Sequence, residues 1–504
     1  MSTARSHCVA LVGIEGHLVE VEAAVGSGLP RTVLIGLPDA SLYESRDRCR
    51  AAISQASVQW PQHLLTINLS PASLPKAGSH YDLAILAAIL AANGAIAPDA
   101  LGDTVFLGEI GLDGRVHKVR GLLPAVLGAV RAGHPQVVVP TEQMAEATLA
   151  PGAEVTGVST LAELIALLRG EPVPQLIPLP ALPAEPRDLP DLADVLGQPE
   201  ACWAAEVAAS GGHHMFLHGP RGVGKSLLAS RLPSILPELT IPESLEVAAV
   251  RSLAGLDEAS LSSRPPWSEP HHTASLASLV GGGPRIPRPG AVSLAHRGVL
   301  FLDEAREFAP RSLEALRTPL ETGEIGLYRS VVHATFPARF QLVLAANPCP
   351  CGDYDRSGGC QCPAYQVRRY RDRISGPILD RIDIHQHLRP MSGSVWRNPE
   401  HLAGQPSAVV AERVVAARER QRARLAGTGW RTNAEVPGAY LRSELPPVEG
   451  IDLIEREVTK GRLSSRGADK CVRLAWTVAD LAGHNRPTRT DLDRAMTLRL
   501  GDGA

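Results

Sequence analysis

The sequence predicts a multidomain protein of the α/β class, in which helices surround a core of parallel strands. Three short and almost entirely apolar runs carry this prediction, namely Met215–Leu217, Val299–Leu302 and Gln341–Ala346. Each run has the length of a strand that is buried on both faces of a parallel sheet, and helix-compatible segments separate the runs. A glycine-rich loop directly follows the first run, which is the arrangement of a strand–loop–helix unit that binds phosphate.

Composition limits the broad class of the protein. The 504 residues suffice for about three domains, and an apolar fraction of 44% excludes disorder along the full length. The net charge of −3 excludes a chain that is basic throughout but allows a local basic channel. No apolar stretch reaches the ~20 residues that span a bilayer, and no secretory leader is recognisable. With few cysteines, the sequence predicts a cytoplasmic protein without a membrane segment.

Residues 1–170 are expected to form a mixed α/β domain. Alternating apolar residues predict strands at 7–12, 18–23 and 31–36. The dipeptide Asp113-Gly114 predicts a turn, and therefore a hairpin over residues 105–117. Helical periodicity predicts helices at 41–57, 82–92 and 121–132.

A proline-rich segment separates this domain from the rest of the chain. Residues 171–190 contain seven prolines, and such a run favours an extended, semi-rigid linker. We therefore expect a second domain at 191–392, built around the three apolar runs, and a helical region at 393–504. In that last region, periodic apolar residues predict helices at 452–460, 467–481 and 487–498.

The segment Gly219-Pro-Arg-Gly-Val-Gly-Lys-Ser226 fits the phosphate-loop pattern G-x-x-x-x-G-K-[ST]. Its glycines, Gly219, Gly222 and Gly224, allow the backbone to curl so that successive N–H groups point at phosphate oxygens. Lys225 is expected to reach the β- and γ-phosphates, and the Ser226 hydroxyl is expected to ligate Mg²⁺. The sequence therefore predicts a site for ATP and Mg²⁺.

The two later apolar runs end in polar residues that suit the same site. Asp303 and Glu304 follow the run at 299–302, so Asp303 is expected to act on Mg²⁺ and Glu304 to deprotonate an attacking water. Asn347 follows the third run and is a candidate for positioning that water, although a simple turn before Pro348 explains the residue equally well. Together these residues predict ATP hydrolysis.

Two arginines are candidates for stabilising the charge on the γ-phosphate. Arg381 lies within Ser375–Asp383, after a short helical turn, and Arg466 opens the C-terminal helical region. Guanidinium groups often have this role in phosphoryl transfer. Spacing alone, however, favours an ordinary surface position for each.

Four cysteines lie close together in the sequence, as two Cys-x-Cys pairs separated by eight residues. Thiolates at this density favour a structural zinc site, with Cys349, Cys351, Cys360 and Cys362 as the ligands. Reduced thiols, an iron–sulfur cluster and disulfides are the alternatives.

The ordered set of motifs resembles the AAA+ ATPases and, more closely, the magnesium-chelatase-like ATPases of the ComM/YifB type. The resemblance covers almost the whole chain and includes Gly197-Gln198, Pro270–Ser275, Leu279–Gly283, Gly298–Glu304 and Ser375–Asp383. It implies a central AAA+ domain, a C-terminal helical lid and a ring, commonly a hexamer. Asn347, Arg381 and Arg466 would be its sensor-1, arginine finger and sensor-2. One departure is Arg221, where the family usually has a second proline.

Members of this branch carry a β-hairpin before the strand that ends in sensor-1. Residues 324–327 and 331–336 alternate suitably around Tyr328-Arg329-Ser330. In related helicases such hairpins point into the pore of the ring, so Arg329 is a candidate contact for a DNA backbone. An ordinary solvated hairpin tip is the alternative.

Residues 75–140 resemble the proteolytic domain of Lon, whose mechanism needs a serine nucleophile and a lysine base. The serine position of that motif falls on His80 and the lysine position on Leu123. We therefore expect a Lon-like domain that is not a protease. A replacement pair of Ser79 with Lys76 or Lys118 is the remaining alternative.

Two arginine clusters complete the candidate surfaces. One lies at 413–424 and the other at 368–373, and each fits a nucleic-acid backbone, a subunit interface or a solvated face. Taken together, the features favour an ATP-driven DNA motor of the helicase or branch-migration type, acting in recombination or DNA uptake. A chelatase-type ATPase that remodels a partner protein or a metal-insertion complex is the alternative.

Overall fold

Two β-sheets with surrounding helices organise the protein in the computed structural model. The structure describes residues 2–36, 40–56, 58–76, 78–173, 189–256, 261–283, 287–328, 333–354, 359–390 and 404–501. The α/β class predicted from the sequence is confirmed, with parallel strand pairs in both sheets. Across these residues we find no helix with the length and apolar character needed to cross a membrane.

The N-terminal part is built on a mixed sheet. Seven strands of its described residues are ordered β3-β4-β2-β1-β5-β8-β9. The antiparallel pairs β1–β2 and β2–β4 lie at the centre, and the remaining neighbours are parallel. The elements of this part are β1 Ser2–Val12, β2 Glu15–Val25, β3 Arg31–Ile35, α1 Ala40–Gln55, β4 Leu64–Ser70, α2 Asp82–Ala92, β5 Val105–Phe106, β6 Glu109–Ile110, β7 Val116–His117, α3 Leu122–Arg131, β8 Gln136–Pro140, α4 Met144–Ala147, β9 Glu154–Val158 and α5 Leu161–Leu168.

The predicted hairpin at 105–117 is wrong in its first part. Only β6 and β7 pair as an antiparallel hairpin, around the expected Asp113-Gly114 turn. Residues 105 and 106 form β5, which pairs in parallel with β1 and β8 in the large sheet. Both residues of β5 are fully buried, so their apolar side chains favour the core of the sheet over an exposed ribbon.

The central part is built on a parallel sheet. In the described residues its five strands are ordered β11-β12-β15-β10-β16, and the three predicted apolar runs supply β10, β12 and β15. The elements are α6 Pro199–Gly211, β10 Met215–His218, α7 Lys225–Ala229, α8 Ile241–Ala254, β11 Trp267–Ser268, α9 Leu276–Val280, α10 Ala291–Leu294, β12 Val299–Leu302, α11 Pro310–Glu314, α12 Arg317–Thr322, β13 Glu324–Tyr328, β14 His333–Pro337, β15 Gln341–Ala346, α13 Ala364–Arg371, α14 Gly376–Leu379 and β16 Ile384–His387.

Both faces of the parallel sheet are buried, as its continuous apolar strands require. In β12, Val299 and Phe301 belong to one hydrophobic cluster, whereas Leu300 and Leu302 belong to another. The first cluster also contains the core of the C-terminal helices, including Trp476. These helices are α15 Ser407–Arg424, α16 Gly438–Ser443, α17 Ile451–Thr459, α18 Ser465–Ala482 and α19 Arg489–Leu500.

The N-terminal part packs directly on the central part through α8. Ala248 and Ala249 of this helix are buried in the hydrophobic cluster of the N-terminal sheet. A second contact joins the turn between β1 and β2 to the β13–β14 hairpin, because Val12 packs against the buried Phe336. Gly13 in that turn has φ +64°, and a Cβ atom there would lie 2.4 Å from the Thr335 carbonyl oxygen.

A buried ion pair fastens the parallel sheet to the C-terminal helices. Lys470 on α18 lies 2.6 Å from Asp383, which precedes β16, and both side chains are almost fully buried. The Lys470 ammonium also donates to the main-chain oxygen of Arg381 at 2.9 Å. Burial favours a higher pKa for Asp383, but Lys470 and His213 outweigh it and hold the pKa below its usual value.

Replacing Lys470 with methionine should therefore destabilise the protein strongly. The substitution leaves the Asp383 carboxylate buried without its cation, which typically costs about 3–5 kcal/mol. The matched control is Lys460→Met, because Lys460 forms a 2.7 Å pair with Glu457 but is mostly exposed. That change should cost less than about 1 kcal/mol. Chemical unfolding measures both, and similar losses in the two variants would contradict the assignment.

Candidate nucleotide-binding site

The phosphate loop connects β10 to α7 at the carboxyl edge of the parallel sheet. The loop begins at Gly219, where a Cβ atom would lie 2.3 Å from the Leu388 carbonyl oxygen, so only glycine fits. Gly224 has φ +92° and immediately precedes Lys225, the first residue of α7. The predicted strand–loop–helix geometry is therefore present.

Lys225 is buried inside the curve of this loop. Its ammonium donates to the main-chain oxygens of Gly219 and Pro220, both at 2.8 Å, and to the Asn347 side-chain oxygen at 3.0 Å. Burial lowers the pKa of Lys225 to about 8, against the opposing attraction of Asp303 and its neighbouring glutamate. The structure thus brings the lysine of the loop to the amide that follows β15.

Two oxygen donors suitable for Mg²⁺ lie beside the loop. The Ser226 hydroxyl donates to one Asp303 carboxylate oxygen at 2.6 Å, and the other carboxylate oxygen accepts the Glu304 N–H at 2.8 Å. A hydroxyl and a carboxylate are hard oxygen ligands of the kind that Mg²⁺ prefers. Ser226 and Asp303 therefore fit the predicted ion by the chemistry of their donor atoms.

Glu304 lies in an unusual backbone conformation, with φ +49° in the left-handed region. Its carboxylate is half exposed and lies 3.4 Å from Nδ1 of His272. His272 belongs to the block Pro270–Ser275 that carries the family resemblance, but nothing in its spacing predicts a place beside Glu304. The contact identifies His272 as a neighbour of the candidate general base.

Arg306 is a second residue whose position the sequence did not predict. Its buried guanidinium donates to the main-chain oxygen of Asn347. It also lies 5.8 Å from the ring centre of Phe216 and 5.5 Å from that of Tyr370. Asn347 is consequently bonded at its amide by Lys225 and at its backbone by Arg306.

The two candidate arginines lie away from the phosphate loop, in a cleft at the amino ends of the parallel strands. Arg381 and Arg466 line the same cleft, which has a volume of about 1130 Å³. Other residues that line this cleft lie at the amino ends of the strands. Gly212 and His214 precede β10, Gly298 precedes β12, and Gln341 is the first residue of β15. The four residues of β10 span ~13 Å, so the cleft and the phosphate loop lie at opposite edges of the sheet.

Arg381 is held by its own chain in this structure. Its guanidinium donates to the Glu321 carboxylate and to the main-chain oxygen of Pro377 at 2.8 Å. Glu321 belongs to α12, which leads directly into the β13–β14 hairpin. The arginine is therefore tied to the element that carries the predicted pore loop.

The four clustered cysteines come together as predicted. Their sulfur atoms all lie within 4.8 Å of one another, and the three pairs among Cys349, Cys351 and Cys360 are 3.2, 3.6 and 3.7 Å apart. Four sulfurs at 2.3 Å from a zinc ion would be about 3.8 Å apart in a tetrahedron. The main-chain N–H of Asp353 lowers the pKa of the Cys351 thiol to about 7, whereas at Cys360 the lowering effect of the Cys362 N–H is outweighed by burial and the neighbouring thiols, which raise the pKa to about 12. The donor set thus fits a soft divalent metal.

The β13–β14 hairpin is present with its expected pairing from Glu324–Pro337 to Tyr328–His333. Arg329 itself lies outside the described residues. Beside it, Tyr328 is 73% exposed as a residue, and its ring stacks on that of His333 with the ring centres 4.1 Å apart. An aromatic pair therefore flanks the candidate DNA contact.

Most arginines of the predicted basic helix are used inside the protein. In α15, Arg413 pairs with Glu206 at 2.6 Å and Arg424 pairs with Asp480 at 2.7 Å. Arg418 is partly buried, donates to the main-chain oxygen of Ala209 at 2.6 Å, and has its pKa lowered to about 10 by burial. These contacts fasten α15 to α6 and α18 instead of forming a free basic face.

The Lon-like positions in the N-terminal part are bonded separately. The Ser79 hydroxyl donates to Glu109, whereas the Lys76 ammonium donates to the main-chain oxygens of Gly36 at 3.0 Å and Leu74 at 2.9 Å. Leu123 is fully buried, and His80 contacts the Val9 carbonyl oxygen at 2.9 Å. The structure does not join Ser79 to Lys76.

Three regions of the chain match models of magnesium-chelatase families. Residues 191–395 match magnesium chelatase, subunit ChlI. Residues 21–143 match subunit ChlI of Mg-chelatase, and residues 404–499 match the C-terminal part of the same subunit. The matches therefore extend over both sheets and the C-terminal helices.

Several proteins resemble the chain over its full length. An uncharacterized protein of Mycobacterium tuberculosis is 48% identical over 502 residues, 99% of each chain. The uncharacterized protein YifB of Escherichia coli is 37% identical over 505 residues, covering 100% of this chain and 98% of its own. Competence protein ComM of Haemophilus influenzae is 37% identical over 514 residues, covering 99% and 98%.

A local similarity points to a further group of proteins. DNA replication licensing factor Mcm6 of Drosophila melanogaster is 34% identical over 95 residues. The match covers 19% of this chain and 10% of that protein.

Proposed function

Because the chain belongs to the magnesium-chelatase-like ComM/YifB family, we propose that it is a ring-forming AAA+ ATPase that drives DNA translocation or branch migration. The family itself supports ATPase activity. The observation that carries the proposal is the meeting of Lys225, Ser226, Asp303 and Asn347 at one edge of the sheet. Recombination and uptake of foreign DNA are the proposed settings.

In the proposed reaction, water attacks the γ-phosphorus of ATP and the bond to the β–γ bridging oxygen breaks, giving ADP and phosphate. Glu304 accepts a proton from the water, and Asn347 orients it. Lys225 neutralises charge on the β- and γ-phosphates. Ser226 and Asp303 would hold Mg²⁺, which supplies further charge neutralisation when bound.

The position of the two arginines supports a ring. Arg381 and Arg466 line a cleft at the edge opposite to the phosphate loop, so neither is placed to complete the site of its own chain. We assign both to the ATP bound by a neighbouring subunit, with Arg381 as the finger and Arg466 as sensor-2. A hexamer is the proposed assembly, because most closed AAA+ rings have six subunits.

DNA is the proposed polymer in the pore. The name of the competence protein ComM and the local similarity to a DNA replication licensing factor both support it. So does the hairpin, where Arg329 would contact phosphates and the exposed ring of Tyr328 could stack on a base. Remodelling of a partner protein is the alternative if DNA is not bound.

The remaining parts receive structural roles in the proposal. Residues 1–170 are assigned as a Lon-like domain without protease activity, because the serine and lysine positions of the Lon motif are occupied by His80 and Leu123. Residues 171–190 are a linker, 191–392 the AAA+ core and 393–504 a connecting helix with a helical lid. The four cysteines hold one structural zinc ion next to Asn347.

Forked or single-stranded DNA should raise the ATPase rate, and the binding should weaken steeply with salt because backbone contacts are ionic. Arg329→Ala should keep the basal rate but lose most of the stimulation. The full-length protein is titrated with forked DNA at several salt concentrations. Phosphate release during the titration measures the ATPase rate and its stimulation by DNA. Arg115→Ala is the matched control, since Arg115 follows the turn of the β6–β7 hairpin and its side chain is 76% exposed. Absence of both stimulation and low-salt binding would favour protein remodelling.

Arg381→Ala should reduce ATP hydrolysis by about 10³-fold or more, as for other arginines that act between subunits. Lys225→Ala should lose tight nucleotide binding, and Glu304→Gln should bind ATP without turnover. Because the finger acts across an interface, mixing Arg381→Ala with Lys225→Ala subunits should recover part of the activity. Steady-state hydrolysis over a range of mixing ratios tests this, and no recovery at any ratio would argue against the ring.

Protein purified without added zinc should contain about one zinc ion per chain. Cys360→Ser should lose most of this metal because one of the four ligands is removed. Cys202→Ser is the control, since Cys202 is a partly buried free cysteine outside the cluster. Elemental analysis with thiol titration decides the matter: four freely reacting cluster thiols in zinc-free protein would disprove the assignment.

A further inference from the structure

The first turn of the cysteine cluster lies directly against the phosphate loop. The main-chain N–H of Arg221 donates to the Gly352 carbonyl oxygen at 3.2 Å. The Arg221 guanidinium lies 2.9 Å from the Asp353 carboxylate. Arg221 is the loop residue that departs from the usual family pattern, and the structure gives it two bonds to the cluster segment.

The same turn is organised by the cysteines. The Gly352 N–H donates to the Cys349 carbonyl oxygen at 3.0 Å, and the Asp353 N–H reaches the Cys351 sulfur. Gly352 has φ +80°, and a Cβ atom there would lie 3.3 Å from the Arg221 side chain. The carbonyl oxygen and the carboxylate that hold Arg221 therefore belong to Gly352 and Asp353, whose N–H groups are bonded to the candidate metal ligands Cys349 and Cys351.

A second contact joins the two sites at the other end of the phosphate loop. Lys225 bonds the Asn347 amide, and Asn347 is only two residues from Cys349. Arg371 further fixes the intervening segment by donating to the Pro348 carbonyl oxygen at 3.2 Å. The chain from Asn347 to Asp353 thus contacts the phosphate loop at Arg221, near the beginning of the loop, and at Lys225, near its end.

We propose that the cysteine cluster and the phosphate loop are energetically coupled through Arg221 and Asp353, so that metal binding and nucleotide binding strengthen each other. Bound metal cross-links residues 349–362 and thereby fixes the turn that holds Arg221. A fixed loop loses less conformational freedom when it closes on phosphate, and nucleotide binding in turn restrains the ligands. By thermodynamic linkage the two effects must be equal in size.

This coupling gives Arg221 and Asp353 the role of positioning residues. The alternative role for Arg221 is direct contact with a phosphate, because its side chain is 68% exposed. The two roles differ in their response to Asp353→Asn. Releasing a phosphate ligand from its carboxylate partner should preserve or improve nucleotide affinity, whereas breaking a positioning contact should weaken it.

The test uses full-length protein, and it rests on the proposed function and its zinc site. Zinc affinity is measured by competition with a zinc-selective chromogenic chelator, with and without saturating Mg·ADP. Mg·ADP affinity is measured by calorimetry with the cluster loaded or stripped of zinc. We expect each ligand to tighten the other by the same factor, about 5-fold or more, within the usual range of coupling between sites.

Arg221→Ala and Asp353→Asn should each bring this factor close to one while the four cysteines still bind zinc. The control is Arg456→Ala, which removes a 2.9 Å pair with Asp452 on α17. It should leave the factor at the wild-type value.

Equal zinc affinity with and without nucleotide in the wild type would overturn the coupling but leave the ATPase assignment intact. Nucleotide affinity that is unchanged or higher in Asp353→Asn would overturn the positioning role. Protein that binds zinc but no nucleotide, or neither ligand, would refute the proposed function itself along with the coupling.

Discussion

The common direction of the strands in the parallel sheet is the constraint on which the rest of the protein depends. Residues that follow a strand are brought to one edge, and residues that precede a strand remain at the other. Lys225, Asp303 and Asn347 consequently meet, while Arg381 and Arg466 stay on the far side. Under the proposed function, this separation divides the cations needed for phosphoryl transfer between two subunits, so that hydrolysis depends on assembly.

Asn347 connects the phosphate loop, Arg306 and the beginning of the cysteine cluster at this edge of the sheet. Its amide is bonded by Lys225 and its backbone by Arg306, which is itself buried between aromatic rings. The cysteine segment begins two residues later. A residue that is bonded both at its side chain and at its backbone has little freedom to move. Displacement of the cluster would therefore reach the candidate nucleotide site through a short connection.

Local patterns allowed much of this arrangement to be predicted. The apolar runs before Gly219, Asp303 and Asn347 gave their strands correctly, because burial on both faces demands uninterrupted apolar residues. The long-range contacts could not be predicted in the same way. Nothing in the spacing pairs Arg418 with the carbonyl of Ala209 or places Arg306 on Asn347, and β5 left its expected hairpin because a parallel neighbour buried it better.

The packing of α8 and of the β1–β2 turn constrains how the N-terminal and central parts can evolve. Ala248 and Ala249 lie in the N-terminal core, and Gly13 meets the backbone of the β13–β14 hairpin at Thr335. The two parts therefore share residues, even though a proline-rich stretch separates them in the sequence. Exchange of either part between distant relatives would pair surfaces that were never selected together, so inheritance of the two as one unit is favoured.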